Sequence, residues 1–241
     1  MPLRSLVVSV ILAFTAGLVV ASFAGFREFL PGLLQGALVT IQITVGGSVL
    51  AVIAAFIAAI GKMYGPWPVR WLAVGYIEVF RGTSALVQLF WLFFVLPHFG
   101  ILLEPLTVAI LALGLNVGAY GAEVVRGAIQ SVAKGQWEAA TALNMGRLTA
   151  LRRIIIPQAF VRMIPPWGNL FIELLKATAL VSLITISDLA FKAQQINQTT
   201  FRTVEIFTIV LVFYLAIASL ITVAMRALEE RAAAGISRGR S

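Results

Sequence analysis

Ionisable and strongly polar side chains are rare in the apolar stretches of this chain, and each marks a place where chemistry is possible. Glu173 and Lys176 stand three residues apart, the spacing that puts two side chains on one face of a helix. Opposite charges so placed either neutralise each other or offer an ammonium and a carboxylate to a zwitterion. Thr178 and Ser182 continue roughly along that side, where a hydroxyl either faces solute or bonds back to its own backbone. Gln88, Asn116 and Tyr120 are the other interior candidates, for helix-to-helix hydrogen bonds or for solute. An ionisable group at the centre of a membrane helix costs about 2.5–3.5 kcal/mol on insertion scales, so such groups default to the bundle interior. Glu123 and Arg126, again three apart, read as a structural ion pair at a gate, with direct solute contact as the other reading. Arg81 reads as an anchor whose stem snorkels to the interface, or as a subunit contact.

The same inventory excludes other chemistry. Cysteine is absent and the one histidine, His98, falls in a short turn, so no metal site and no catalytic residue are assigned. A membrane enzyme acting on lipid needs a converging set such as His with Asp or Glu, and this chain has one His, in a turn. No Gly-x-x-x-x-Gly-Lys-[Ser/Thr] loop occurs, so nothing cradles a nucleotide phosphate. The chain holds no cofactor of its own; any energy from ATP enters through another polypeptide.

The elements that must position these residues are membrane helices. Of the 241 residues 60% are apolar and 12% charged, against about 25% charged in soluble domains. Charge-free windows at Ser5–Phe26, Phe29–Gly61, Gly82–Leu103, Pro105–Ala122 and Ile206–Met225 each reach about the 20-residue length that crosses a hydrocarbon core, and Phe29–Gly61 exceeds it, so Pro31 and its neighbours start outside the core or the helix tilts. Trp167–Leu189, despite Glu173, Lys176 and Asp188, is too apolar for a loop and makes a sixth. The expected fold is all-α: a polytopic bundle of about six transmembrane helices. Residues 1–28 form an amino-terminal transmembrane segment, retained rather than cleaved at Ala21–Ala24; 29–226 form the core; 227–241 form a basic tail, its end from Ala232 unstructured. The spacings Gly32/Gly36 and Gly114/Gly118 permit close helix approach, the second being the stronger.

The net charge of +8 reads as orientation. With the amino terminus inside, Arg4, Lys62, Arg70, Arg81, the Arg126–Arg162 stretch, Arg226, Arg231, Arg238 and Arg240 are cytoplasmic, while Arg27, Lys192 and Arg202 are outside. That asymmetry follows the positive-inside rule and places both termini in the cytoplasm. It also puts there a polar insert between Lys134 and Pro157. In it Gly135 is expected to break the preceding helix, Glu138 to complement the dipole of the next, and Ala139, Ala140 and Ala142 to keep that helix smooth for close packing. After a turn at Asn144 and Gly146, Leu148, Leu151, Ile154 and Ile155 recur opposite Arg147, Arg152 and Arg153, suited to the bilayer surface. Pro157 falls where it kinks or ends that helix, and Pro165-Pro166 makes a firmer break.

The insert resembles the EAA loop of ATP-binding-cassette importer permeases: Glu138-Ala139-Ala140 and Ile154-Ile155-Ile156-Pro157 stand at that motif's spacing, within a loop spanning 134–165. Asn144 replaces the motif's Gly and Ile156 its Leu. Asn tolerates positive φ better than other non-glycine residues, so the turn is expected to survive. Glu78–Thr83, Gln88-Leu89-Phe90, Gly118–Gly127 and Leu174–Leu180 are similar, in order, to recurrent segments of the polar amino-acid uptake branch. Ser84 in place of Pro, and Lys176-Ala177-Thr178-Ala179 without the usual Asp and Ser, depart from that branch. With Met163–Asn169 and Gln194–Thr200, these features are similar to permeases for ectoine and hydroxyectoine. The resemblance implies an ATP-driven importer permease of the bacterial inner membrane. It implies a cytoplasmic coupling helix including Gly135, Glu138, Ala139, Ala140, Asn144 and Gly146, with Pro157 closing the motif. It further implies an ATPase dimer carrying ATP and Mg, a second permease subunit identical or related, an extracytoplasmic binding protein, and no nucleic acid. A secondary transporter or channel working without ATP also accounts for the spans, but leaves the insert unexplained.

Overall fold

The computed structural model describes residues 26–238; the apolar segment Ser5–Phe26 lies almost wholly outside them. Among the described residues helices run in the order α1 Phe26–Tyr64, α2 Trp67–Gly82, α3 Ala85–Phe90, α4 Pro105–Gln130, α5 Lys134–Ala142, α6 Arg147–Ala150, α7 Ile156–Ala177, α8 Leu189–Thr200 and α9 Thr203–Arg238. Four helical runs there are long and apolar enough to cross a membrane: Glu28–Tyr64, Pro105–Gln130, Arg147–Ile184 and Thr203–Ala233. A fifth follows if α2 and the run Ala85–Phe99 count as one broken span.

Four expectations are corrected. Gly82–Leu103 is not a single helix: α2 ends at Gly82, Thr83 and Ser84 are extended, and α3 continues as a π turn, Trp91–Val95, and a 3-10 turn, Leu96–Phe99. Pro165 and Pro166 do not break the chain but lie inside α7. Both face outward, whereas Met163, Ile164, Trp167, Leu170 and Leu174 are buried, so the packed stripe holds the helix while the carbonyls freed by the missing N–H groups lie on its outer side. Pro157 does not end a helix either, because the turn before it widens into a π turn, Leu151–Ile155, that joins α6 to α7; the extra residue gives the ring room it lacks in an α-helix. At the carboxyl end α9 continues to Arg238, past the expected tail boundary at 227, since Leu228, Glu229, Glu230, Arg231 and the alanines after them favour helix and need only propagate one already formed.

The described residues divide into two compact units, one gathering 26–50, 84–114 and 171–222, the other 51–83, 115–170 and 223–238. The core of the first joins Phe29, Leu33 and Ala37 of α1 to Leu189 and Ala193 of α8 and to Ile206, Ile209 and Val210 of α9. The approach of α1 is set at Gly36, where an added Cβ would stand 2.8 Å from the Asp188 carbonyl oxygen and 2.9 Å from the Leu189 Cα. Those neighbours are backbone and cannot rotate away. Gly36→Ala is therefore expected to destabilise the fold by about 1–3 kcal/mol, while Gly32→Ala, whose Cβ would meet only Ile196 Cδ1 at 3.5 Å, is expected to be near neutral; thermal unfolding of the purified variants checks both. In the same unit Gly114 packs on Leu50 and the Gly47 carbonyl.

In the second unit Gly118 lies against the Tyr76 hydroxyl and Ala54, and Gly121 against the Trp167 indole and Ala55. Tyr76 donates to the Leu115 carbonyl at 2.6 Å, so a half-buried hydroxyl is satisfied where α2 meets α4.

Candidate functional site: a coupling loop and a polar pathway

The polar insert folds as a short helix with a turn that its sequence specifies. The preceding helix stops at Gln130, with the break over Ser131–Ala133; Gly135 is the second residue of α5 and not the breaker. Asn144 takes φ 54°. Met145 N–H donates to the Ala140 carbonyl at 3.0 Å and Asn144 N–H to the Thr141 carbonyl at 2.9 Å, the two bonds of a Schellman ending with Asn in place of Gly. Gly146 is extended and leads into α6. Gln158 donates to Gln136 at 3.1 Å, tying α5 to α7, and Arg162 donates to Ser131 Oγ at 3.0 Å.

The insert's alanines divide between two faces. Ala140 is 1% exposed, packed on its own chain, with Ala150 and Ile155 also buried. Gly135, Glu138, Ala139 and Ala142 face outward, beside Leu143 and Leu148, which are 73% and 77% exposed. The outward face is thus small at its centre and apolar at its edge. Leu148 is the member of the amphipathic pattern left open, Leu151 and Ile154 are half-buried, and the segment is continuous with α7 rather than a separate helix.

Charge concentrates at the α1–α4 contact of the second unit. Lys62 Nζ lies 2.7 Å from Glu123 Oε1, and Arg126 lies 2.6 Å from Glu123 Oε2. Arg126 also donates to Gln130 at 2.7 Å. The expected Glu123–Arg126 pair is present, and Lys62 makes it a triad of one carboxylate between two cations, charge-assisted on both oxygens. Lys62 escapes a reading of sequence because it lies 61 residues from its partner. Nearby, Asn116 donates to the Phe80 carbonyl at 3.0 Å. Tyr120 donates to the Arg81 carbonyl at 3.4 Å, with the Arg81 guanidinium 5.5 Å from its ring centre. Asn116 and Tyr120 thus tie α4 to α2, the helix-to-helix reading of both. Arg81 is itself exposed and uses the aromatic face as a rest.

The remaining pathway candidates belong to the first unit. Thr178 Oγ1 donates to the Leu175 carbonyl at 2.7 Å and Ser182 Oγ to the Ala179 carbonyl at 2.8 Å, the backbone option. They do not share a face as four-apart residues of an α-helix would, because Thr178–Ile184 is a 3-10 helix with three residues per turn. Gln88 is half-buried on α3. Glu173 and Lys176 are both exposed on α7. Among the described residues the ion pairs are Lys62–Glu123 and Arg126–Glu123, so Glu173 and Lys176 do not neutralise each other within this chain. His98 is exposed in the turn after α3.

Residues 47–234 match the family model described as the binding-protein-dependent transport system inner membrane component. The chain belongs to this family. It is a multi-pass protein of the inner membrane, and its relatives are transport permeases. A probable amino-acid ABC transporter permease protein, y4tF, of Sinorhizobium fredii is 46% identical over 210 residues, covering 85% of this chain and 88% of the relative. The L-cystine transport system permease protein TcyB of Bacillus subtilis is 39% identical, covering 85% and 88%. The glutamine transport system permease protein GlnP of Escherichia coli is 37% identical, covering 84% and 93%. Among solved structures, a crystal structure of an amino acid ABC transporter with histidines superposes with a TM-score of 0.81 at 35% identity, over 87% of this permease and 98% of that chain. The MetNI methionine ABC transporter in an inward-facing form gives 0.72 at 17% identity over 85% and 98%, a likeness of fold.

Proposed function

We propose that this permease forms the transmembrane path of an ATP-driven importer that brings a small polar zwitterion, a polar amino acid or an amino-acid-like compatible solute, into the cytoplasm. Energy enters at the outward face of α5, where Gly135, Glu138, Ala139 and Ala142 seat in an ATPase subunit that carries ATP and Mg. A second permease, identical or related, completes the path, and an extracytoplasmic binding protein delivers the solute. Both termini are cytoplasmic, as the distribution of Lys and Arg supports.

One observation carries the solute class. Glu173 and Lys176 are exposed on an apolar helix without pairing to each other, and charges in a membrane span face a polar cavity or a partner. A carboxylate and an ammonium one helical turn apart match the ammonium and carboxylate of a zwitterion. The relatives named for glutamine and L-cystine support an amino acid. Ala177 and Ala179 in Lys176-Ala177-Thr178-Ala179 support the narrower ectoine or hydroxyectoine reading.

The test is reconstitution in proteoliposomes with a partner ATPase and a solute-binding protein from the same source. Uptake is expected to stop when ATP is withdrawn while the membrane potential is held. Uptake that continues without ATP would instead make the chain a secondary transporter or channel. Titrating the binding protein with amino acids and with ectoine then decides the solute.

A further inference from the structure

Asp188 belongs to none of the functions above, yet it is the one fully buried carboxylate among the described residues. It sits at the junction where the 3-10 helix Thr178–Ile184 ends at Thr185, in left-handed backbone at φ 63°, and α8 begins. Its Oδ1 accepts the Phe191 N–H at 2.9 Å and so caps α8. Its Oδ2 is buried and has no hydrogen-bond partner. No Lys, Arg or His reaches it; the ion pairs among the described residues lie at Glu123. A carboxylate enclosed in this way is costly unless it is neutralised.

The walls of this site are oxygen-rich and uncharged. Thr40 of α1 accepts the Leu189 N–H on Oγ1 at 3.2 Å. The Tyr214 hydroxyl of α9 interacts with Thr178 and Thr40 and senses the charge of Asp188, and it is buried without a well-formed hydrogen bond. Two buried polar atoms without a hydrogen-bond partner, an acid oxygen and a phenol oxygen, thus belong to the same unit, where Leu189 beside Asp188 and Tyr214 pack into one core. The residues of α1 packed here, Leu33, Gly36, Ala37 and Thr40, carry no charge, and neither does the 3-10 segment. Tyr214 is the titratable group of α9 that senses the Asp188 charge. On α8 itself Lys192 turns to Gln195 at 3.4 Å, and Lys176, ahead of the 3-10 segment, is exposed.

We propose that Asp188 is a proton-binding site, its protonated oxygen completing hydrogen bonds with the Tyr214 and Thr40 hydroxyls, and that proton uptake there locks the α8 junction onto α1 and α9. The proton comes from water and returns to it; no other bond changes. Burial, opposed by the backbone N–H groups at the start of α8, pushes the carboxyl up to about 6, which puts loading in the mildly acidic range. The sign follows from linkage: a carboxyl raised on folding adds stability at pH below its ordinary range, and that stability is lost as pH rises through about 6.

The experiment uses the full transporter in lipid nanodiscs. Infrared difference spectra between about pH 5 and about pH 8 isolate a carboxyl titrating above the ordinary Asp and Glu range, and a protonated-carboxyl C=O band is expected in the wild type. Asp188→Asn keeps the cap, since Asn is as good an N-cap as Asp, and is expected to remove the band and flatten the fall in melting temperature with rising pH. Tyr214→Phe should displace the titration midpoint while leaving a band. A wild type without the band, or a band unchanged in Asp188→Asn, would overturn the proposal. So would sodium chloride, but not choline chloride, restoring the acid melting temperature at the higher pH, for then a metal cation and not a proton neutralises the site.

Discussion

Ala139→Glu is expected to abolish both uptake and recruitment of the ATPase while leaving the permease inserted and folded. Ala139 faces outward on α5 between Glu138 and the buried Ala140, so the new carboxylate leaves this chain's packing alone and enters the proposed contact with the ATPase. In a closely packed, desolvated interface an unpaired charge costs about 3 kcal/mol or more, which at 1.4 kcal/mol per factor of ten is a loss of more than about 100-fold in affinity. Co-purification of the ATPase with the tagged permease measures it, and the melting temperature of the permease alone serves as the control. Ala140→Glu is the wrong experiment: its side chain is 1% exposed within its own chain, and the variant would report misfolding of the loop. ATPase recovered at wild-type yield with Ala139→Glu would remove α5 as the docking element.

The difference between those two alanines shows what the sequence made legible and what it did not. Motif spacing located the loop, and the Asn144 turn could be anticipated because one residue's tolerance of positive φ decides it. Which alanine faces inward depends on what α5 packs against, and Ala150 and Ile155 arrive from the following turns. The same limit hid Lys62. Glu123 and Arg126 are three residues apart and fall on one helical face, whereas Lys62 reaches Glu123 from α1, and no local period encodes that.

Proline and helix type were misleading for a related reason. Local rules make Pro165-Pro166 a break and set Thr178 and Ser182 on one side. A buried stripe through Trp167 and Leu174 overrides the first, and a 3-10 helix over Thr178–Ile184 undoes the second. Glycine spacing pointed to close approach, which Gly114 and Gly118 make against the Gly47 and Ala51 carbonyls of α1; at Gly36 the neighbours are the Asp188 carbonyl and Leu189 at the start of α8, a partner that spacing alone does not name. Buried Asp188 was visible only as a charge inside an apolar stretch; that its second oxygen is orphaned is a fact of three dimensions.

Glu173→Gln and Lys176→Gln are each expected to lower uptake at subsaturating solute by about 10- to 150-fold, equivalent to about 1.5–3 kcal/mol for a hydrogen bond to a charged group. Basal ATP hydrolysis and ATPase recruitment should be unchanged, because both residues lie on α7 and not on α5. The decisive comparison is the double variant Glu173→Lys with Lys176→Glu. If the two side chains served only to neutralise each other, the exchange would conserve the pair and restore uptake. They do not touch within the chain, so the exchange should instead present reversed polarity to a zwitterion held by the unchanged remainder of the path, and uptake should stay low. Loss of the second permease from the purified complex in either single variant would move the pair from solute to subunit contact. Full uptake in both single variants would remove them from the path, and with them the physical basis for a zwitterionic solute.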